Sequence, residues 1–286
     1  MMTVVWSGLS VGAIYALLAL TMNVIYTSVG VFNFAQGAIL TLGVFLAYAG
    51  TATWHLPVGL AALLAAVVCA VVAVIEARVV LLPRALGRNE LLTTVGAATI
   101  IGGVLSLIWG ETDLSVVSPV PGGYFTLLGG RLDADQLFLI GLAIVVALGV
   151  GIWYHRTLAG LTALAVAEDR DAARMRGINV GRKSYAAFAF GGLVAGAIGS
   201  AVGNQTYAYP ELGSSLVLFA FTAFVLGGAG SLGGSLIGGM TIGLVQEFAA
   251  RYIGVLYSNL VILGVLLAVL SALPNGLFGQ SRMRTI

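Results

Sequence analysis

The side chains able to do chemistry are few, and most are neutral amides set in apolar runs. Asn33 and Gln36 lie three residues apart in the stretch 30–37, a spacing that puts both on roughly one helix face. The glycine and aromatic residues of this stretch could break a helix or make it re-enter the membrane. Amides donate and accept hydrogen bonds. The pair therefore predicts either the lining of a pathway for a zwitterionic solute or a hydrogen-bonded contact between helices. Secondary candidates of the same type are Asn23, Gln246, Asn204 and Gln205.

Ionisable groups inside apolar runs form a second class of candidate. A charge at mid-membrane costs about 2.5–3.5 kcal/mol on insertion scales, so such residues are rare without a reason. Glu247 lies inside one run, and Arg251 follows four residues later, which predicts an ion pair on one helix face. Glu76 and Arg78 are assigned to the end of their run. This scarcity disfavours a carrier coupled to protons or ions.

The stretch 177–184, G-I-N-V-G-R-K-S, resembles a phosphate-binding loop only superficially. That loop needs four residues between its glycines and then Gly-Lys-Ser or Gly-Lys-Thr. Here three residues separate Gly177 from Gly181, and Arg182 precedes Lys183. We therefore predict no ATP site, no catalytic residue and no cofactor in this chain. The histidines His55 and His155 show no metal-ligand spacing.

Composition places these residues in a membrane protein. Of 286 residues, 59% are hydrophobic and 8% are charged, whereas soluble domains carry about 25% charged residues. The runs 60–75 and 137–153 are apolar on every helical face, as expected of transmembrane helices. The prediction is an all-α polytopic bundle forming a single domain, 1–286, with eight to ten spans and possibly discontinuous helices. The predicted spans are 4–26, 31–50, 56–82, 91–109, 135–154, 184–203, 214–228, 232–250 and 255–273.

Small residues predict how these helices pack. Glycine recurs at four-residue spacing, including in three pairs assigned to packing; this spacing puts both members of a pair on one face and lets backbones approach closely. Cys69 is the single cysteine and lies in an apolar run, so it is interpreted as a packing residue. The run 227–234, rich in glycine, could be a turn or a gate in a discontinuous helix. The glycine pairs are Gly8/Gly12, Gly192/Gly196 and Gly234/Gly238.

The distribution of arginine and lysine predicts orientation, because cytoplasmic loops are enriched in both. The segment 155–183 carries six such residues, whereas the loops 110–134 and 204–212 are acidic overall. We therefore place 155–183 and the C-terminus in the cytoplasm and the two acidic loops outside. With nine spans, the N-terminus is then also outside. Other cations assigned to the cytoplasm are Arg78, Arg84, Arg88, Arg282 and Arg284.

Within 155–183, the residues 161–177 predict one short helix on the cytoplasmic side. Its stripe of Leu161, Leu164, Ala165, Ala172 and Met175 is modest and rich in alanine, and Gly177 supplies a stop. So small an apolar face anchors poorly in lipid, which favours docking into a groove on a partner protein. A solvated connecting helix is the alternative. The residues assigned to docking are Ala165, Glu168, Asp169, Ala172, Ala173, Arg174 and Gly177.

The run 165–179, A-V-A-E-D-R-D-A-A-R-M-R-G-I-N, resembles the cytoplasmic loop of the branched-chain amino acid ABC permease family. Two further regions are similar to that family. One is 8–48, with G-A-I-Y-A-L at 12–17 and G-V-F-N-F-A-Q-G at 30–37; the other combines 225–239 with L-P-N-G-L-F-G at 273–279. The chain resembles the shorter of the family's two permease subunits.

This resemblance implies a machine with separate parts. The segment 155–183 would be the coupling segment that contacts an ATPase. The implied partners are a homologous second permease, two cytoplasmic ATPase subunits that bind ATP and magnesium, and a soluble solute-binding protein docking on the outer loops. The implied location is a bacterial inner membrane, with the lipid bilayer around the chain; scattered basic residues do not indicate nucleic acid.

The sequence departs from the family pattern where a histidine, and an acidic residue two positions later, are common: here Gln36 and Ala38 stand. The transported solute therefore stays open between branched-chain amino acids and urea, amides or aromatic acids. A channel or ion-coupled carrier acting alone, and a membrane scaffold, are the alternatives from other functional classes.

Overall fold

The structure is a computed structural model that describes residues 1–85, 90–120, 122–127, 129–273 and 276–279. Its regular structure is overwhelmingly helical, as expected where backbone groups have to be satisfied within each segment. The helices are α1 (Met2–Val29), α2 (Gln36–Tyr48), α3 (Val58–Ala85), α4 (Glu90–Trp109), α5 (Ala134–Arg156), α6 (Leu158–Glu168), α7 (Arg170–Met175), α8 (Val180–Thr206), α9 (Leu212–Gly227), α10 (Leu232–Tyr252) and α11 (Val255–Ala272). A π-helical turn, Ala49–Thr53, extends α2.

A helix occupies each of the nine predicted spans, so the all-α prediction is confirmed. Within the described residues, 7 helical segments are long and apolar enough to cross a membrane. The predictions at 214–228 and 232–250 correspond to α9 and α10, which are helices outside that set. The second span was placed too early, because residues 31–35 are not helical. Arg88, Arg282 and Arg284, used to predict orientation, lie outside the described residues.

A short β-hairpin that the sequence did not predict lies in the loop 110–134. Its strands are β1 (Tyr124–Leu127) and β2 (Gly130–Asp133), and they pair antiparallel, with Tyr124 opposite Asp133. Arg131 lies 4.4 Å from the centre of the Tyr124 ring and 3.0 Å from an Asp133 oxygen. Asp133 and Gln136 then form a capping box, so the hairpin leads directly into α5.

The chain divides into two compact units. The first comprises 1–23, 123–161 and 218–286, and the second comprises 24–122 and 162–217. In the first unit, α1 packs against α10 through glycine faces: a Cβ added to Gly12 would lie 2.8 Å from Met240 Cα, and one added to Gly243 would lie 2.2 Å from Gly12 N. A Cβ on Gly238 would fall 2.2 Å from Ala223 O on α9.

In the second unit, α8 packs its glycine face against α3 and α2. A Cβ on Gly192 would lie 2.3 Å from Cys69 O, and one on Gly196 would lie 2.3 Å from Ala65 O. A Cβ on Gly199 would meet the Gly43 backbone at 2.5 Å. Backbones this close leave no room for side chains. The predicted packing role of the glycine pairs is thus confirmed, and Cys69 is buried at the α3–α8 contact.

Candidate functional site: a buried polar cluster and the segment tied to it

The chain stops being helical at Val29 and becomes helical again at Gln36. Gly30 has φ +76°, a left-handed conformation that glycine adopts without steric cost, and its N–H donates to Tyr26 O at 2.6 Å. We call residues 30–35 the linker. Asn33 and Ala35 in it are buried. The predicted break in the helix around 30–37 is therefore confirmed.

This linker ends deep within its unit. Gln36 Nε2 donates to Gly191 O at 2.9 Å. Gly191 lies 11 residues after Val180, the first residue of α8, and 11 residues of helix correspond to about 16 Å. Non-helical backbone at such depth is tolerated in a membrane only where protein buries it or it lines a cavity.

Three polar side chains meet at the end of the linker, and we call them the polar cluster: Asn33, Gln36 and Glu76. Asn33 Nδ2 donates to Glu76 Oε2 at 3.2 Å, and Asn33 Oδ1 accepts from Ala35 N at 2.8 Å. Asn33 thus shapes the turn that starts α2 and also contacts α3. Glu76 lies five residues before the end of the candidate span Val58–Leu81, which agrees with its predicted place near the end of a span. Its side chain is 4% exposed and packs inside the unit.

Two oxygens of the polar cluster have no hydrogen-bond partner among the described residues: Gln36 Oε1 and Glu76 Oε1. Buried polar atoms normally have partners, because leaving one unpaired costs about 1–3 kcal/mol. Both atoms are acceptors when the carboxyl group is ionised. A Cβ added to Gly191 would lie 3.1 Å from Gln36 Oε1, so a side chain at this position would crowd that oxygen. The cluster is therefore an arrangement of acceptors that a ligand with N–H donors could satisfy.

Two of the secondary candidates, Asn23 and Gln246, belong to the first unit, and each has a partner there. Tyr15 OH donates to Gln246 Oε1, and the Tyr15 ring packs edge-on against Phe219. The structure gives Glu247 a hydrogen bond with Ser7 rather than the predicted ion pair with Arg251. Of the candidates Asn33, Gln36, Asn23 and Gln246, the structure thus brings together only Asn33 and Gln36 in the polar cluster.

Asn23 is fully buried and holds the turn between α9 and α10. Its Nδ2 donates to Ser231 O and to Ser235 Oγ, both at 2.9 Å, and its Oδ1 accepts from Gly230 N at 2.9 Å. This finding answers the question about 227–234: α9 ends, a turn with two glycines of positive φ follows, and α10 begins. Asn23 fixes the conformation of that turn.

Replacing Asn23 by alanine should therefore destabilise the first unit by about 2–4 kcal/mol, because several buried backbone and side-chain groups lose their partner at once. The measurement is the thermal unfolding midpoint of the purified chain in detergent. Asn259→Ala is the matched control, because Asn259 is exposed on α11. Equal midpoints for the two variants would contradict the role given to Asn23.

The segment predicted as one helix over 161–177 is two helices, α6 and α7, broken at Asp169. Asp169 has extended φ and ψ of −149° and 115°, and its carboxylate accepts from Asp171 N and Ala172 N at 2.9 and 3.0 Å. An aspartate in this position caps a new helix. The single-helix prediction is wrong because this local cap starts a second helix. Gly177, with φ +79°, follows α7 as predicted.

The buried face of this segment also differs from the predicted stripe. Val166, Ala173 and Val180 are buried together, whereas Leu161 and Met175 are exposed. Ala173 was predicted to contact a partner, and this prediction is wrong because the chain itself covers it. Outside this small core, Glu168, Asp169, Asp171, Arg174 and Met175 are exposed, and Ala165 and Ala172 are half-buried.

Arg170 ties α7 to the end of α1, a contact that the sequence did not predict. Its Nη2 donates to Ser28 O, and the same nitrogen would lie 3.7 Å from a Cβ on Gly30. Carbonyls in the last turn of a helix lack intrahelical partners and attract cations. The first residue of α7 therefore rests on the point where α1 ends and the linker begins.

The two loops predicted to face outward, 110–134 and 204–212, meet at one point. Leu114 and Ala208 exchange two backbone hydrogen bonds, at 3.0 and 2.8 Å. Next to Ala208, burial raises the pKa of the Tyr209 phenol, and the carboxylates of Asp113 and Glu211 raise it further. This phenol is therefore neutral, beside two acidic residues contributed by both loops.

Comparisons with known proteins identify the family to which the chain is similar. The family model described as branched-chain amino acid transport system, permease component, matches residues 4–270. The high-affinity branched-chain amino acid transport system permease protein BraD of Pseudomonas aeruginosa is 26% identical, with 98% of this chain and 96% of BraD covered. LivH of Escherichia coli, a protein of the same description, is 27% identical with the same coverage.

Among solved structures, a chain of PsaBC from Streptococcus pneumoniae in complex with Fab has the same fold at 14% identity. Its TM-score is 0.50, and the alignment covers 92% of this chain and 90% of that chain. The matched family model takes in both the polar cluster and the α6–α7 segment, as well as nearly all of the long helices. This multi-pass membrane protein belongs to the family of permease components of branched-chain amino acid transport systems.

Proposed function

We propose that this chain is the membrane-spanning subunit of a binding-protein-dependent, ATP-driven importer that carries branched-chain or similar amino acids. Membership of the permease family supports this proposal. The observation that carries it is the α6–α7 segment, which exposes charged residues and is tied by Arg170 to the end of α1. A segment of this kind can receive force from a partner and pass it to the helices.

The proposed route of coupling runs through contacts within the second unit. A partner ATPase that pulls on α7 would pull on Arg170, and through it on the Ser28 carbonyl and the linker. The linker ends at Asn33 and Gln36, which contact α3 and α8. Such a pull changes the populations of two transporter states only if the ATPase binds those states with different affinity.

The partners in this proposal are a second permease, two cytoplasmic ATPase subunits with ATP and magnesium, and a solute-binding protein on the opposite side. The α6–α7 segment and the C-terminus are proposed to be cytoplasmic. The joined loops that carry Asp113 and Glu211 are proposed to meet the solute-binding protein. Urea, amides and aromatic acids are the alternative solutes, and Gln36 in place of a titratable residue is compatible with them.

Reconstitution tests this function directly. The chain, co-expressed with its proposed permease and ATPase partners, is placed in liposomes with the solute-binding protein. Radiolabelled leucine should accumulate only when ATP is present on the side of the ATPases. Accumulation by the chain alone, without ATP or partners, would identify it instead as a channel or an ion-coupled carrier.

Charge reversal on the exposed face of the segment should separate the permease from its ATPases. Glu168→Lys combined with Arg174→Glu should reduce co-purification of the ATPase subunits by about tenfold, because like charges brought together at an interface repel each other. The measurement is the ATPase-to-permease ratio after affinity purification of the tagged permease. Glu211→Lys is the control, since Glu211 is exposed in the opposite group of loops; unchanged co-purification of the double variant would contradict docking at this segment.

A further inference from the structure

The polar cluster contains an acidic side chain in a place where acidic side chains are costly. Glu76 lies within α3, nine residues before the end of that helix, and its side chain is buried. Its hydrogen-bond partner among the described residues is a neutral amide, Asn33. An ionised carboxylate buried without a cation is strongly unfavourable. The cluster is therefore electrostatically incomplete.

The two unpaired oxygens indicate which kind of ligand would complete the cluster. Glu76 Oε1 and Gln36 Oε1 both accept hydrogen bonds, and neither finds a donor within the described part of the chain. The remaining polar atoms are occupied: Glu76 Oε2 by Asn33, Asn33 Oδ1 by Ala35 N, and Gln36 Nε2 by Gly191 O. The cluster thus offers two acceptors and, when Glu76 is ionised, one negative charge.

A protonated primary amine matches this arrangement. An ammonium group carries one positive charge and three N–H donors, and its hydrogen bonds to carboxylates are about twice as strong as neutral ones. A carboxylate group would be repelled by Glu76, and an aliphatic group would leave both oxygens unpaired. A neutral amide can supply donors but leaves the charge uncompensated.

We propose that Glu76 and Gln36, positioned by Asn33, bind the ammonium group of the transported solute. This inference rests on the proposed function and narrows it, since it selects amino acids over urea, amides and aromatic acids. Asn33 acts here as a positioning residue, because its amide holds Glu76 and its carbonyl oxygen shapes the first turn of α2. The site lies at the end of the linker, which Arg170 contacts at its other end.

Direct binding to the full chain in lipid nanodiscs tests the proposal. The probes are L-leucinamide, at neutral pH where most of its amine is protonated, and 4-methylpentanamide, which is the same molecule without the amine. Affinities are read by saturation-transfer NMR. The wild-type chain should bind leucinamide at least about tenfold more tightly, equivalent to about 1.4 kcal/mol, and Glu76→Gln should remove this preference.

Glu247→Gln is the matched control, because it neutralises another carboxylate on a long helix and should keep the preference. Equal binding of both probes to the wild-type chain would overturn the proposal, as would a preference that survives Glu76→Gln. The wild-type comparison decides the question even if that variant does not fold. The binding assay contains no ATPase. A negative binding result would therefore not contradict ATP-driven import, and a negative uptake result would not contradict ammonium binding.

Discussion

Replacing Gly196 by leucine is expected to prevent α8 from packing on α3 and to leave little folded protein. Even a single Cβ at this position would lie 2.3 Å from Ala65 O and 2.6 Å from Ala66 Cα, well inside van der Waals contact. The obstacle is backbone, so relief requires the two helices to separate. We expect a loss of about 4 kcal/mol or more, at the high end of single substitutions.

The measurement for Gly196→Leu is the fraction of protein that elutes as a single species from detergent, together with its unfolding midpoint. Gly103→Leu is the matched control. Gly103 lies in α4 of the same unit, and a Cβ added there would have no atom of the described residues within 4 Å beyond its own helix turn. This control should be tolerated. If both leucine variants behaved alike, the glycine face of α8 would not be what holds it against α3.

Arg170→Ala is expected to uncouple transport from ATP hydrolysis while the ATPases still bind. The variant removes the hydrogen bond between the guanidinium and Ser28 O, and a charged hydrogen bond of this kind contributes about 1.5–3 kcal/mol. A difference of that size changes the population of a coupled state roughly tenfold or more. Leucine uptake per ATP hydrolysed should therefore fall by about tenfold.

Three controls separate coupling from other effects of Arg170→Ala. Arg170→Lys keeps the cation and should restore part of the coupling, whereas Arg176→Ala removes an exposed cation just after α7 and should change little. Hydrogen exchange at residues 27–36 should increase in Arg170→Ala, because the end of α1 loses its cap. Normal uptake per ATP in Arg170→Ala would show that α7 transmits nothing through this contact.

These predictions differ in how much of their basis could be read from the sequence. The length and continuity of the apolar runs were sufficient to predict the helices, because a chain in lipid has to satisfy its backbone within each span. The four-residue spacing of glycine was sufficient to predict the packing faces, since residues four apart lie on the same side of a helix. The break near residue 30 also follows from local composition, because glycine there adopts φ +76°.

The shape of the α6–α7 segment was only partly predictable. The stop at Gly177 is local and was predicted correctly. The break at Asp169 is local too, but an aspartate followed by a short polar run fits both a helix interior and a helix cap. The structure shows that it is a cap, because the Asp169 carboxylate accepts hydrogen bonds from Asp171 N and Ala172 N. Which face is buried depends on Val180, which lies beyond the segment's end.

By itself, the sequence determined a membrane bundle of apolar helices, glycine faces for their packing, an amide pair at a helix break, and a charged segment between α5 and α8. Only the tertiary structure decided which polar groups meet. Gln36 contacts Gly191 across 155 residues, and Arg170 contacts Ser28 across 142. Glu76 joins Asn33 across 43 residues. Local propensity carries no information about such pairs, because they form only when distant helices pack and exclude water from between them.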